Sequence, residues 1–368
     1  MGISRRTGLE VRGATDTSGS NPVPRGRHSR GTGGPDTDSK LPRPFPSRPV
    51  GYGTDMSRQP AAQRRIERPP ARRRREALEA LLGGGSGQVD RFLSYADATG
   101  LSLEGLWSLF EDGRILASVL AAPSPGRTAT LFVTSPRSED DITTAASLID
   151  HAARHGGEVG VRLVQALVEP ERTRELAAFE RGGLQRIAML RSLERPRPRR
   201  GELALPPLPA NVSLETWRED LADETIEALE RSYIDTQDCP GLTGLRRGRD
   251  ILEGHRASGR FDPSLWTLVR SRSGSRAGRL VATCLLNPQP SSHSVELVYL
   301  GIDPEFRGKG LGAALLARAL DTVSRRAERR VTLAVDEANA PARSLYARFG
   351  FRGDVVRVAL VRPVTESP

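Results

Sequence analysis

From Glu76 onward, apolar residues gather into short runs separated by Gly, Pro, Asn and Asp, and the spacing within each run predicts its geometry. Leu316, Leu320 and Val323 fall at i, i+4 and i+7 on one helical face, which predicts a helix over Gly310–Arg326. Strand-like runs are expected at Ser264–Arg270, Arg279–Leu286, Val295–Ile302 and Val331–Val335, with closing strands from Phe351 to Val361. Helices are expected at Asp223–Tyr233 and Pro341–Phe349. A helix with one apolar face must cover a sheet, so the pattern reads as a mixed α/β sandwich.

The same order of elements occurs twice. Gly113-Arg114-Ile115-Leu116-Ala117-Ser118 is followed by Pro123 and Pro125, and Gly278-Arg279-Leu280-Val281-Ala282-Thr283 by Pro288 and Pro290, at a constant offset of 165. Gly183-Leu184 echoes Gly350-Phe351 with the offset drifted to 167. A second Pro-rich stretch from Arg195 to Pro207 separates the copies, so we expect folded units at 76–198 and 210–366 joined by a linker at 199–209.

Charge sharpens the division. Of 55 Lys+Arg and 45 Asp+Glu, residues 1–75 hold 17 and 6, so the net +10 of the chain belongs to that segment and the remainder is near neutral. With 10 Gly, 10 Pro and few large apolar residues it reads as a disordered tail. Its Arg72–Arg75 run is a solvated charge run or a nucleic-acid patch, and nucleic-acid contact would run only through this tail. Met56 offers a second start, which would make residues 1–55 an extension. No apolar stretch approaches the roughly 18 residues of a membrane span and no signal-like run opens the chain, which predicts a soluble, cytoplasmic protein without membrane contact. Cys239 and Cys284 cannot build a disulfide framework, and no Cys/His cluster has zinc spacing, so no metal is expected.

The chemistry concentrates in two stretches. The strand ending at Ile302 runs through Asp303-Pro304-Glu305-Phe306 into Arg307-Gly308-Lys309-Gly310-Leu311-Gly312 at a helix start. Glycines let backbone N–H groups approach a ligand, and a helix N-terminus favours an anion, so the loop suits a pyrophosphate. Arg307 and Lys309 add positive charge, and the only other lysine is Lys40. A P-loop is excluded because Gly308-Lys309 is followed by Gly310 and Asp303 stands where its first glycine is needed. A dinucleotide loop, Gly308 to Ala313 with Asp336 ending the next strand, stays open as a rival, although its glycines come late after the strand. In the second stretch, Asn339 can cap a helix, Leu345 and Phe349 pack at i, i+4, and Gly350 can end it. Tyr346 in that helix carries a phenol suited to protonating a thiolate.

Taken together, these motifs resemble the GNAT (Gcn5-related) N-acetyltransferase superfamily. Its acyl-CoA loop, [QR]-x-x-G-x-[GA], is matched by Arg307-x-x-Gly310-x-Gly312, and its late motif by Asn339, Leu345-Tyr346 and Gly350-Phe351. The resemblance covers about residues 210–362 and implies a tandem GNAT fold with mixed central sheets flanked by helices. It implies acetyl-CoA as co-substrate, with Leu300, Gly301 and Ile302 beside the pantetheine arm. Backbone N–H groups of Arg307, Gly308, Lys309, Gly310, Leu311 and Gly312 would then hold the pyrophosphate. Asn339 would contact the CoA arm, Tyr346 would protonate the departing thiolate, and Glu296 stands where several members keep a general base. The acceptor expected is a primary amine of a small molecule, attacked on in a ternary complex; a peptide acceptor, or a CoA-sensing module without turnover, is the alternative. In the first unit the loop reads Arg137-Ser138-Glu139-Asp140-Asp141-Ile142, Thr128 is expected opposite Glu296 and Phe179 opposite Tyr346. Three adjacent acids repel a pyrophosphate, so this copy is expected to be silent.

Overall fold

The computed structural model describes residues 63–364. The first half runs β1 (Arg64–Glu67), α1 (Arg74–Leu82), α2 (Ser86–Thr99), β2 (Leu106–Glu111), β3 (Arg114–Ser124), β4 (Thr128–Val133), α3 (Glu139–Glu158), β5 (Leu163–Val168), α4 (Thr173–Arg181) and β6 (Gln185–Pro196). The second repeats the order as β7 (Val212–Thr216), α5 (Ala222–Ser232), α6 (Gly248–Ala257), β8 (Trp266–Ser271), β9 (Leu280–Gln289), β10 (Ser294–Ile302), α7 (Leu311–Ser324), β11 (Arg330–Asp336), α8 (Ala340–Arg348) and β12 (Val356–Pro363). The duplication read from the glycine and proline spacing is therefore a duplication of elements.

Two sheets were expected, and one continuous sheet of 12 strands is found, ordered β1-β2-β3-β4-β5-β12-β6-β11-β10-β9-β8-β7. Read from either end the order is equivalent, so a pseudo-two-fold axis passes between β12 and β6. The halves exchange their last strands: β12 pairs with β5 of the first half, while β6 pairs with β11 of the second. The closing strand expected for the 210–366 unit thus completes the 76–198 unit. Alternation along the strands sends Val358 and Leu360 of β12 into the first-half core and Ala359 and Val361 to the opposite face. Helices α3, α4, α7 and α8 cover one face, and α1, α2, α5 and α6 the other.

Strand pairing also corrects the repeat register. Ser124 pairs with Thr128 and Gln289 with Ser294, so the second-half turn is one residue longer and the offset becomes 166. Thr130, not Thr128, is the counterpart of Glu296, as its pairing with Gln165 against that of Glu296 with Thr332 confirms. Helices α4 and α8 keep the offset of 167, which leaves Phe179 opposite Tyr346.

The disordered tail expected over 1–75 needs a correction at its end. Residues 1–62 lie outside the described residues, but Arg64–Glu67 forms an edge strand against β2. The arginine run caps and begins α1: Arg73 bonds Glu76 and the carbonyl of Gly113, Arg74 reaches Glu104, and Arg75 pairs with Asp90. Those charges are paired locally. Among the described residues no helix is long and apolar enough to cross a membrane. Both cysteines are free and buried, and burial pushes the Cys284 thiol up to about 12, so it packs as a small apolar side chain.

Candidate active site

Strand β10 pairs with β9 along its length, but with β11 only where Ser294–Glu296 meets Arg330–Thr332. On its other edge β11 pairs with β6 from Arg330 to Asp336, whereas its pairing with β10 stops at Thr332, so β10 and β11 diverge. Asp303 donates its N–H to Val281 on the β9 side at 2.8 Å. Strand alternation therefore points the backbone groups of Ile302 and Leu300 toward the divergence. The carbonyl of Ile302 accepts from Arg307 Nε at 3.0 Å there.

The loop that follows is braced from below and open above. Asp303, almost fully buried, accepts from the Glu305 N–H at 3.0 Å and lies 3.4 Å from Arg231 and 3.2 Å from Arg276. Arg307 spends its guanidinium on three carbonyls, those of Ile302, Asp235 and Ser232, and its N–H donates to Pro304 at 3.2 Å. Its positive charge, expected to face the ligand, instead ties β10 to the end of α5. Lys309 donates to the Glu305 carbonyl at 2.7 Å. Gly308 and Gly310 take φ of +72° and +81°, are exposed, and have open space where a Cβ would sit. Gly310 caps α7 without a side-chain bond, so the first-turn N–H groups from Leu311 have no intrahelical partner. At Gly312 a Cβ would come within 3.3 Å of Ile302, which is how α7 approaches the strand so closely. Were this turn to hold a cofactor phosphate, Gly310→Ala should weaken CoA binding roughly tenfold, because an L-residue escapes the left-handed backbone, which costs it about 1–2 kcal/mol, by moving the turn's N–H groups. Calorimetric titration with CoA checks it, and unchanged affinity would remove the loop from the site.

Tyr346 and Glu296 flank the divergence on opposite faces of the sheet. Tyr346 is buried in the core with Leu300 and Ile302, its ring edge-on to Phe351 at 5.8 Å. Burial, then the nearby Asp238, Cys284 and Tyr299, pushes its phenol well above the usual range, so it stays protonated. Glu296, on the α6 side, accepts from Ser258 Oγ at 3.2 Å and Gln289 Nε2 at 2.6 Å. Four residues of strand, about 13 Å, separate it from Leu300. Asn339 uses its side-chain oxygen to cap α8, accepting from the Ala342 N–H at 3.2 Å.

The family model for the Acetyltransferase (GNAT) family matches residues 229–351. A mycothiol acetyltransferase from Beutenbergia cavernae is 32% identical over 295 residues, covering 73% of this chain and 93% of that protein. The chain belongs to the GNAT acetyltransferase family. A second relative, the mycothiol acetyltransferase of Clavibacter michiganensis subsp. michiganensis, is 29% identical over 257 residues, 67% of this chain and 76% of that one. The GCN5-related N-acetyltransferase of Sphaerobacter thermophilus shares the fold at a TM-score of 0.52 and 19% identity, over 83% of this chain and 98% of that structure.

As a GNAT protein the chain is an N-acetyltransferase, and its two loops differ in a way the fold makes plain. In the first half Ser138 and Asp141 form a capping box at the start of α3. The Asp141 carboxylate accepts from the N–H groups of Arg137 at 2.9 Å and Ser138 at 3.0 Å. The first-half turn thus spends the N–H groups of Arg137 and Ser138 on the Asp141 carboxylate and that of Asp141 on Ser138 Oγ, whereas Gly310 offers α7 no such cap. Sequence reasoning missed α6 with Ser258, the Asp303 brace, and the contact of Asp238 with Asp336, which it named only as the end of a strand. These two aspartates bridge the loop to the end of β11: Asp336 accepts from the Cys239 N–H at 3.1 Å and donates its own N–H to Asp238 at 3.2 Å. Among the described residues, no group of three or more His, Cys, Asp or Glu is placed to hold a metal ion.

Proposed function

We propose that this chain transfers the acetyl group of acetyl-CoA to a primary amine of a small molecule by direct attack in a ternary complex. The observation that carries the reading is the divergence of β10 from β11 beneath an exposed, uncapped glycine turn, with a protonated phenol on one side and a carboxylate on the other. Pyrophosphate would lie on the N–H groups from Gly308 to Gly312, and the pantetheine arm along Leu300–Ile302. The amine nitrogen attacks the thioester carbon, the Leu300 N–H faces the developing oxyanion, and the C–S bond breaks. Glu296, at about 13 Å along the strand from Leu300, takes the proton the amine loses through intervening water, and Tyr346 gives its proton to the CoA sulfur.

The names of the relatives support an acceptor related to mycothiol, and the tandem arrangement with a silent first copy is similar to that of mycothiol synthase, which implies the cysteinyl amine of a pseudodisaccharide. The second half carries catalysis. The first binds no acyl-CoA, because Asp141 occupies its helix start, and it serves as a wall. A thiol-release assay with acetyl-CoA, a cysteinyl pseudodisaccharide and a panel of other amines and peptide N-termini tests this. Turnover should favour the cysteinyl compound, and Glu296→Gln should lower kcat about 10²-fold. Tight CoA binding without turnover on any amine would instead favour the sensing module.

A further inference from the structure

The turn between β3 and β4 belongs to the silent half, yet it lies against the backbone of α6 in the catalytic half. Gly126 there is buried at φ +85°, and a Cβ on it would stand 2.2 Å from the Asp250 carbonyl, 2.8 Å from Arg246 Nη2 and 3.1 Å from the Gly254 N–H nitrogen. The Asp250 carbonyl is itself braced by Arg246 Nη2 at 2.8 Å, and Arg127 Nε lies 3.9 Å from the Asp250 carboxylate. The equivalent second-half turn, Pro290-Ser291-Ser292-His293, contains no glycine. That turn is one residue longer, so at Gly126 glycine answers both the positive φ of the shorter turn and the contact with α6.

Helix α6 carries that contact to the candidate base. Its first residue, Gly248, packs so tightly on α5 that a Cβ would meet Glu230 and Ile226 at 2.4 Å. At its other end Asn287 Nδ2 donates to the carbonyls of His255 at 2.8 Å and Ser258 at 2.5 Å, and Trp266 Nε1 fixes the Asn287 oxygen at 2.8 Å. Ser258 Oγ then donates to Glu296. His255 is fully buried and stacked on Tyr299 at 5.1 Å. A helix clamped at both ends in a close-packed interior shifts as a body when pushed.

We propose that the first half positions the chemistry of the second: Gly126 seats α6, and through Ser258 the Glu296 carboxylate, at the acceptor side of the site. Gly126 is a positioning residue, and this role rests on the transferase reading above. A contiguous set of contacts is not by itself coupling, so the test must measure it.

Gly113 supplies the control. It sits at φ +80° in the β2–β3 turn with nothing within 4 Å of a Cβ, so Gly113→Ala carries the backbone strain without the push. With acetyl-CoA and the cysteinyl acceptor, Gly126→Ala should lose about tenfold or more in kcat while its KM for acetyl-CoA stays within about twofold. Gly113→Ala should keep kcat despite a similar loss of Tm. Ser258→Ala should also lower kcat, and the double variant Gly126→Ala/Ser258→Ala should be no worse than the poorer single one. Wild-type kcat in Gly126→Ala, or additive losses in the double variant, would overturn the proposal. Amide hydrogen exchange gives a readout that needs no turnover: residues 248–260 should exchange faster in Gly126→Ala than in Gly113→Ala. Equal exchange overturns the positioning role, whereas a wild-type protein inactive on every amine overturns the transferase reading and leaves this comparison intact.

Discussion

A chain ending at Asp354 should yield no folded protein, in either half. Strand β12 lies between β5 and β6, and Val358, Leu360 and Val361 on it are buried. Losing those side chains forfeits about 1.5–3 kcal/mol each. Their sum, with two ladders of backbone bonds left unpaired, rivals the total of about 5–15 kcal/mol that holds a domain together. Cutting the chain elsewhere should do far less. A protease site placed at the exposed Arg200–Gly201 bond should leave the fragments co-eluting as one particle with activity retained, because each fragment carries the strand that completes the other. Circular dichroism and size-exclusion chromatography distinguish the two cases. A truncated chain melting cooperatively at the wild-type temperature, or fragments that separate after cleavage, would show that the exchanged strands are dispensable.

Tyr346→Phe should lower kcat by about 10²–10³-fold with KM for acetyl-CoA changed less than about twofold, as expected when a proton donor to the leaving group is removed. Stability should not fall, since the substitution deletes a buried hydroxyl and keeps the ring that packs on Phe351. The raised phenol also fixes the sign of the pH dependence. A donor whose pKa lies above the ordinary phenol range stays protonated through neutral and mildly basic pH. The rate should therefore rise with pH as the amine deprotonates, with no loss of Tyr346 function below about pH 10. Retention of most of the activity in the phenylalanine variant would assign the proton to another group.

What could be read from residue order followed what is local. Glycines at Gly113 and Gly278 both adopt positive φ, +80° and +78°, at the same hairpin position, which is why their spacing exposed the repeat. The helix at α7 and the strand at β10 emerged within two residues of their expected ends because each buries a regular apolar face. Partnership between strands was not legible, since β6 and β12 read as strands whichever half they complete. Helix α6 went unseen because Gly248 and Gly254 look like breakers; both are where a neighbour comes too close for a Cβ, Gly254 within 2.6 Å of Arg246. Strand β1 hid in an arginine- and proline-rich context, the composition that keeps a short sheet edge from pairing with other chains. At the site, the positive φ of Gly308 and Gly310 and the helix start after them follow from residue type. The placement of the Arg307 guanidinium does not, because no residue spacing reveals that three carbonyls lie within its reach.

The traded strands also bear on why both copies persist. In a simple string of two domains, the idle one is lost at no cost to its neighbour. Here, discarding residues 63–198 would take β6 away from β11, the very strand whose departure from β10 opens the cleft. Selection on either repeat thereby preserves the architecture of the other.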